Sequence, residues 1–310
     1  MAATQIILSL GKLFLMIIPG FVLARLHLIN ERQSKGISTI IIYLTWPCLI
    51  IMSLQRAFSV TICINMGILA VVMICEFAVA FIIAKLISKG MKVGASLSYL
   101  MIFMLMFGTT GFLGIPVCNA LYAAEGTFYA ALVESVQNIF VFTLGLALIE
   151  KSTGTRIGFS AARFLTPGFA SVVIGLGLFA TGATLPAILA EPMQSIGSAT
   201  SPLAMIVIGY QLGKMRSGEL FGDARLYALS TAKMILTPLI FMILIILFFP
   251  EMNTLAKVLI LEIAMPVATS SAIFTQQYDG NTGFATKGIM LSTVIAIITL
   301  PAFAILVELL

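Results

Sequence analysis

Charge is what this chain lacks most. Only 9% of its 310 residues are Asp, Glu, Lys or Arg, against about 25% in an ordinary soluble domain, and that deficit excludes a water-soluble globular fold. Histidine is nearly absent: His27 is the single one and falls in a basic loop, where it is read as solvated. The four cysteines, Cys48, Cys63, Cys75 and Cys118, lie in or beside apolar runs without metal-ligand spacing. They are read as small apolar packing residues, and no metal site is expected. There is no GxxxxGK nucleotide loop, no GxSxG elbow and no HExxH pair, so neither an enzyme nor an ATP-driven pump has visible residues to carry its chemistry. No hydrophilic stretch is long enough for a soluble domain, and no cofactor or nucleic-acid partner is expected.

What is present is hydrophobic. Sixty per cent of the residues are apolar and the mean hydropathy is +1.13, which defines an all-α polytopic membrane protein. At roughly 20 residues per span, the length allows about ten helices. Five are read in the first half, at 5–24, 36–54, 61–86, 96–123 and 127–149, and five in the second, at 164–181, 194–213, 226–249, 254–277 and 284–309. The run at 5–24 lacks the basic flank and cleavage site of a signal peptide and is read as a retained first helix. Five is odd, so the second half crosses the membrane in the opposite sense, giving two inverted five-helix repeats, 1–150 and 163–310. Charge placement agrees. One side carries thirteen basic residues, Arg25, Arg32, Lys35, Lys85, Lys89, Lys92, Lys151, Arg156, Arg163, Lys214, Arg216, Arg225 and Lys287, and the other only Arg56 and Lys257. Both termini are therefore expected on the non-cytoplasmic side of the plasma membrane.

Two spans are unlike the rest. The stretch 107–126, FGTTGFLGIPVCNALYAAEG, carries four glycines and Pro116; the stretch 261–280, LEIAMPVATSSAIFTQQYDG, carries Pro266, 150 residues later. Proline lacks an amide donor and crowds the preceding turn, so a break is expected at each. Freed backbone groups are tolerated inside a membrane only beside protein or a water-filled cavity. Interrupted spans at corresponding positions of two halves mark the binding site of a secondary transporter. The amides after Pro116 and Pro266 would attract a carboxylate. Alternatively the prolines only kink packed helices.

Polar side chains beside the breaks are Thr109, Thr110, Asn119, Thr269, Ser270 and Ser271, each able to orient a ligand or cation; Ser and Thr also serve simply as helix-packing residues. Gln137 and Asn138 lie in the middle of the fifth span, where amides are costly unless satisfied. Glu76, Glu134, Lys233 and Glu262 are the ionisable groups within apolar spans, functional hypotheses by default. Glu76 and Lys233 fall in the third and eighth spans, corresponding helices of the two halves, so they are candidates for a coupling site or for a structural ion pair. Glu134 shares a helix face with Asn138, and Glu262 precedes Pro266 by one turn.

Three pieces, GTTGFLGIPVCNALYAAEG at 108–126, VESVQNIFVFTLGLALIE at 133–150 and AMPVATSSAIFTQQYDGNTG with LSTVIAIITLP at 264–301, make the chain resemble the auxin efflux carriers. That family includes plant auxin exporters and bacterial malate and malonate permeases, and is related in fold to the bile-acid sodium symporters. The resemblance implies that helices 4 and 9 unwind and cross beside the substrate. It also implies that helices 1, 2, 6 and 7 (5–54, 164–213) form a dimerising scaffold, and that helices 3–5 and 8–10 (61–149, 226–310) form a mobile transport domain. The chain departs from the plant members at Thr109, where they carry asparagine, and in lacking their long hydrophilic loop. The expected function is a secondary carrier of a small organic anion or carboxylate working by an elevator mechanism. The alternatives are a sodium- or proton-coupled carrier of the same fold and a membrane receptor that binds without transport.

Overall fold

The computed structural model describes residues 3–56, 58–156, 166–214, 222–248 and 252–310. Arg163 and Arg216, and positions 164, 165 and 249 of the spans expected at 164–181 and 226–249, lie outside the described residues. The chain is helical throughout, without named strands among the described residues. In order the helices are α1 (Ala3–Leu15), α2 (Ile17–Arg25), α3 (Glu31–Ile40), α4 (Trp46–Leu54), α5 (Val60–Gly90), α6 (Ala95–Met106), α7 (Ile115–Phe140) and α8 (Leu146–Thr153). They continue with α9 (Pro167–Thr181), α10 (Ala187–Ser198), α11 (Thr200–Gly213), α12 (Ala224–Thr231), α13 (Thr237–Phe248), α14 (Thr254–Ile263), α15 (Ser270–Gln277) and α16 (Thr282–Leu309). Six helical runs among the described residues are long and apolar enough to cross a membrane: Thr4–Arg25, Glu31–Leu54, Val60–Gly90, Thr110–Thr153, Ala224–Phe248 and Thr282–Leu309. The longest is interrupted at Ala123 (φ 49°, ψ −136°), where the fourth span was read to end.

Several runs contain wide π-helical turns, and three of these turns have one cause. The turns Ile41–Thr45, Thr110–Gly114 and Ala232–Leu236 each end two residues before a proline, Pro47, Pro116 and Pro238. A proline cannot donate to the carbonyl four residues back, and its ring collides with that carbonyl. Those carbonyls belong to Tyr43, Phe112 and Met234, the middle residue of each wide turn. Widening the turn by one residue moves the carbonyl away from the ring, and the helix continues past the proline. The break expected at Pro116 is therefore not there. The chain unwinds upstream, at Phe107–Thr109, where no proline stands and where Gly108 and the β-branched Thr109 weaken the helix. A fourth wide turn, Val141–Gly145, precedes no proline.

The chain divides into two compact units: Met1–Leu69, Gly111–Ser135 and Ala162–Met215 form the first, and Ala70–Thr110, Val136–Ala161 and Arg216–Leu310 the second. In the first unit α2 packs on α11 backbone to backbone. A methyl added at Gly209 would fall on the Ile17 carbonyl and within 2.9 Å of Phe21 N, and one at Gly20 would fall on Ile206. Small residues that let helix backbones approach closely are the usual adhesive between helices in lipid, where the hydrophobic effect offers none. Gly209→Ala is expected to cost about 1–3 kcal/mol, because backbone cannot turn aside as a side chain can. Thermal unfolding in detergent would show it as a lowered midpoint. Elsewhere in this unit the Asn65 amide donates to the Tyr129 hydroxyl at 2.9 Å, and the Arg56 guanidinium lies 5.0 Å from the centroid of the Phe128 ring.

The second unit is built around two short helices buried on every side. Leu100–Met106 of α6 and Val258–Ile263 of α14 are buried without interruption, as a helix apolar all round must be. Phe77, Phe103, Phe107 and Phe140 stack around α6, with ring centroids 4.8 to 5.4 Å apart. Both helices stop inside this core, and their stopping points make the site.

Candidate functional site

Past Met106 the chain turns extended (Phe107, φ −103°, ψ 127°), and past Ile263 it unwinds from Ala264 to Thr269. The two unwound segments pair with each other. Gly108 and Val267 form an antiparallel bridge. Thr109 N–H donates to the Pro266 carbonyl at 2.7 Å, and Ala268 N–H donates to the Phe107 carbonyl at 3.0 Å. The Thr109 hydroxyl adds a bond to the Val267 carbonyl at 2.7 Å, and Val267 N–H is taken by the Ser292 hydroxyl of α16 at 3.1 Å. An unwound segment deep in the protein must place each of its backbone polar groups, and in lipid only protein or enclosed water can take them. Each break here supplies partners for the other.

Gln137 completes the arrangement. Its side-chain oxygen accepts from Gly108 N–H at 3.1 Å, and its amide nitrogen donates to the Gly108 carbonyl and to the Thr110 hydroxyl, each at 2.8 Å. Both of its donors are thereby used. A buried amide that looked costly in the sequence is a clamp on the first break. Gly108 fits the same spot tightly, since a β-carbon there would stand 3.3 Å from that of Met265.

Of the residues singled out in the sequence, Thr109, Thr110, Gln137, Asn138, Pro266, Thr269, Ser270 and Ser271 fall in the second unit; Pro116 and Asn119 fall in the first, on α7. Thr110 and Gln137 are buried, while Thr109 and Asn138 are half-buried. The Ser271 hydroxyl turns back to the Ala268 carbonyl at 2.8 Å. Thr269 and Ser270 are half-exposed, and Thr269, although it stands at the start of α15, does not cap it with its side chain. These two hydroxyls lie at the edge of the paired breaks. Pro116 is buried within the helix and Asn119 is half-buried.

The ionisable residues separate into three places. Glu76 of α5 and Lys233 of the wide turn before α13 are both buried and stand 3.7 Å apart, Nζ to Oε1, in the second unit. Glu262 is buried in the last turn of α14, two residues before the second break. Glu134 belongs to the first unit, where a β-carbon at Gly111 would stand 3.1 Å from its carboxylate and 2.5 Å from the Trp46 ring. That shared contact was not legible in the sequence, where Trp46 reads only as an anchor. Ser292 was also missed as the partner of the second break. Its one signal is a lone serine in the apolar run LSTVIAI that sits in a family-like motif.

An all-helical chain with several spans long enough for a bilayer, and with paired helix breaks whose backbone groups are satisfied inside, is a multi-pass membrane protein. It belongs to the membrane transport protein family, whose model matches residues 5–304; the likeness to the auxin efflux carriers is therefore one of family. Among similar proteins, an uncharacterized transporter of Methanothermobacter thermautotrophicus is 25% identical over 98% of both chains. An uncharacterized transporter of Methanocaldococcus jannaschii is 25% identical over 64% of this chain and 66% of its own.

Proposed function

We propose that the protein is a secondary carrier that moves a small organic anion, a mono- or dicarboxylate, by elevator-type alternating access. The observation that carries this reading is the pair of breaks joined through Gly108 and Val267, with half-exposed Thr269, whose hydroxyl makes no cap bond to α15, and half-exposed Ser270 beside them. Those hydroxyls, with the start of α15, offer neutral hydrogen-bond donors where the helix dipole favours negative charge. The reading treats Gln137 and Ser292 as the frame of the site and Thr269 and Ser270 as the groups that meet the substrate.

The two-unit division supports the elevator. The first unit holds α1–α4 and α9–α11 and the second α6, α8 and α12–α16, while α5 and α7 are divided, with 60–69 and 115–135 in the first unit; apart from those two helices the division parallels a scaffold of helices 1, 2, 6 and 7 and a transport domain made from the rest. In this proposal ten spans form two inverted repeats and helices 4 and 9 are the crossing pair. The scaffold pairs with a second copy, and the thirteen-to-two charge bias sets both termini outside the plasma membrane. A second reading, proton coupling, has its own observation in the buried Glu76–Lys233 pair.

Uptake of labelled malate, malonate and aromatic acids into proteoliposomes tests the substrate class. The double variant Thr269→Val, Ser270→Ala is expected to raise the half-saturating concentration about five- to thirtyfold, the loss of one or two hydrogen bonds at roughly 1 kcal/mol each, with folding unchanged. Indifference of the wild type to every organic anion would sink the carboxylate reading, and saturable binding without flux would favour a receptor.

A further inference from the structure

At the end of α5 the second unit holds a hollow of about 720 Å³. Phe81, Ile82 and Leu86 wall one part of it, and Lys85, Lys89 and Lys92 surround another. The three lysines are exposed, and among the described residues none of them is paired with a carboxylate. Lys85 rests with its ammonium 5.4 Å from the Phe81 ring centroid. Ile82 and Leu86, at 56% and 64% exposed, present bare hydrocarbon one turn from these charges. One hollow thus has an oily part and a cationic part.

Its depth follows from the helix. α5 has 31 residues, about 46 Å at ~1.5 Å per residue, against a hydrocarbon core of about 30 Å. The helix outruns the core, and its last turns reach the level of the headgroups. The turn that follows is a second, independent sign. Val93 N–H donates to the Ser88 carbonyl at 2.9 Å and Lys92 N–H to the Lys89 carbonyl at 3.1 Å, a Schellman ending in which the left-handed residue is ordinarily glycine. Here that residue is Lys92, at φ 51°, although glycines stand close by at 90 and 94. A side chain kept where the backbone would relax without one points to use of that side chain.

We propose that this hollow is a binding site for an anionic phospholipid, with the phosphate held among Lys85, Lys89 and Lys92 and an acyl chain lying along Phe81, Ile82 and Leu86. The oily wall selects a lipid over a free phosphate, and the lysine cluster selects an anionic headgroup over a zwitterionic one. The site is independent of the substrate reading, because it uses no residue of the paired breaks.

The test uses the purified full chain in neutral detergent, with lipid binding followed by native mass spectrometry and thermal unfolding. Phosphatidylglycerol is expected to bind and raise the midpoint, phosphatidylcholine much less, and millimolar inorganic phosphate not at all. The triple variant Lys85→Gln, Lys89→Gln, Lys92→Gln is expected to bind phosphatidylglycerol about a hundredfold more weakly, at roughly fivefold per lysine. Lys92→Gly is the control that keeps the experiment decisive should the triple variant fail to fold. It is expected to unfold at a higher temperature than the wild type without lipid, yet to lose about fivefold in phosphatidylglycerol affinity. Equal binding by wild type and Lys92→Gly would overturn the proposal, and so would inorganic phosphate reproducing the shift.

Discussion

Gln137→Leu is expected to be among the most damaging single substitutions in the chain. Leucine fills nearly the same volume but removes the acceptor for Gly108 N–H and the two amide donors that serve the Gly108 carbonyl and the Thr110 hydroxyl. The N–H and the carbonyl of buried Gly108 would lose their side-chain partner, and the Thr110 hydroxyl would lose one donor. At about 1–3 kcal/mol for each of the two unsatisfied backbone groups, the summed cost is on the order of 2–6 kcal/mol, a large fraction of the stability of a typical domain. Unfolding of the purified variant should show a sharply lowered midpoint, and proteoliposomes made with it should carry little flux. Gln137→Glu separates shape from chemistry. A carboxylate keeps the acceptor for Gly108 N–H but offers no donor to the carbonyl, so it should lose most of the same stability. Pro116→Ala is the contrast. The first break lies upstream of Pro116 and is held by Gln137 and the second break, so this change should move stability by no more than about 1 kcal/mol. A Pro116→Ala variant that lost more than Gln137→Leu would return the break to the proline.

The difference between those two variants marks where the sequence stopped being legible. Composition and apolar runs were enough to read an all-helical membrane chain, because lipid demands long apolar segments with internally satisfied backbone. The second break was legible at Pro266, which lies in the unwound segment itself. The first was displaced because a proline in a helix has several outcomes, a break, a wide turn, or an uninterrupted helix as at Pro301 in α16, and local sequence does not choose among them. Pro47, Pro116 and Pro238 all take the wide turn. Gly108 and Thr109 break instead, since Gln137 and Pro266 are there to receive their backbone groups. That choice belongs to tertiary structure. The role of Gln137 was hidden for the same reason: a buried amide can serve a ligand or a backbone, and only its neighbours decide. Nor could spacing reveal that Trp46, Gly111 and Glu134 share one contact in the first unit.

Removing the ammonium of Lys233 is expected to cost about 3–5 kcal/mol, the penalty for stranding a buried charge. Lys233 and Glu76 are each 1% exposed and 3.7 Å apart, and neither Glu76 oxygen finds a hydrogen bond among the described residues. The buried hydroxyls of Ser230 and Thr237, one turn to either side of Lys233, are likewise without one. A pair this deeply buried and this loosely joined repays little of its desolvation, since attraction offsets the loss of water only when geometry is close and the remaining lone pairs are filled. The double variant Glu76→Leu, Lys233→Met should therefore recover all that Lys233→Met loses and can exceed the wild type by about 1–4 kcal/mol. Unfolding midpoints of the wild type, the two single variants and the double variant form the cycle that measures this coupling. Flux then separates the two roles of the pair. If the pair only holds α5 to the turn before α13, the double variant transports as the wild type does. If it carries the proton of a coupled cycle, the double variant is at least as stable as the wild type, yet a pH gradient no longer drives uptake. A double variant as unstable as Lys233→Met alone would contradict the buried, loosely joined pair on which both outcomes depend.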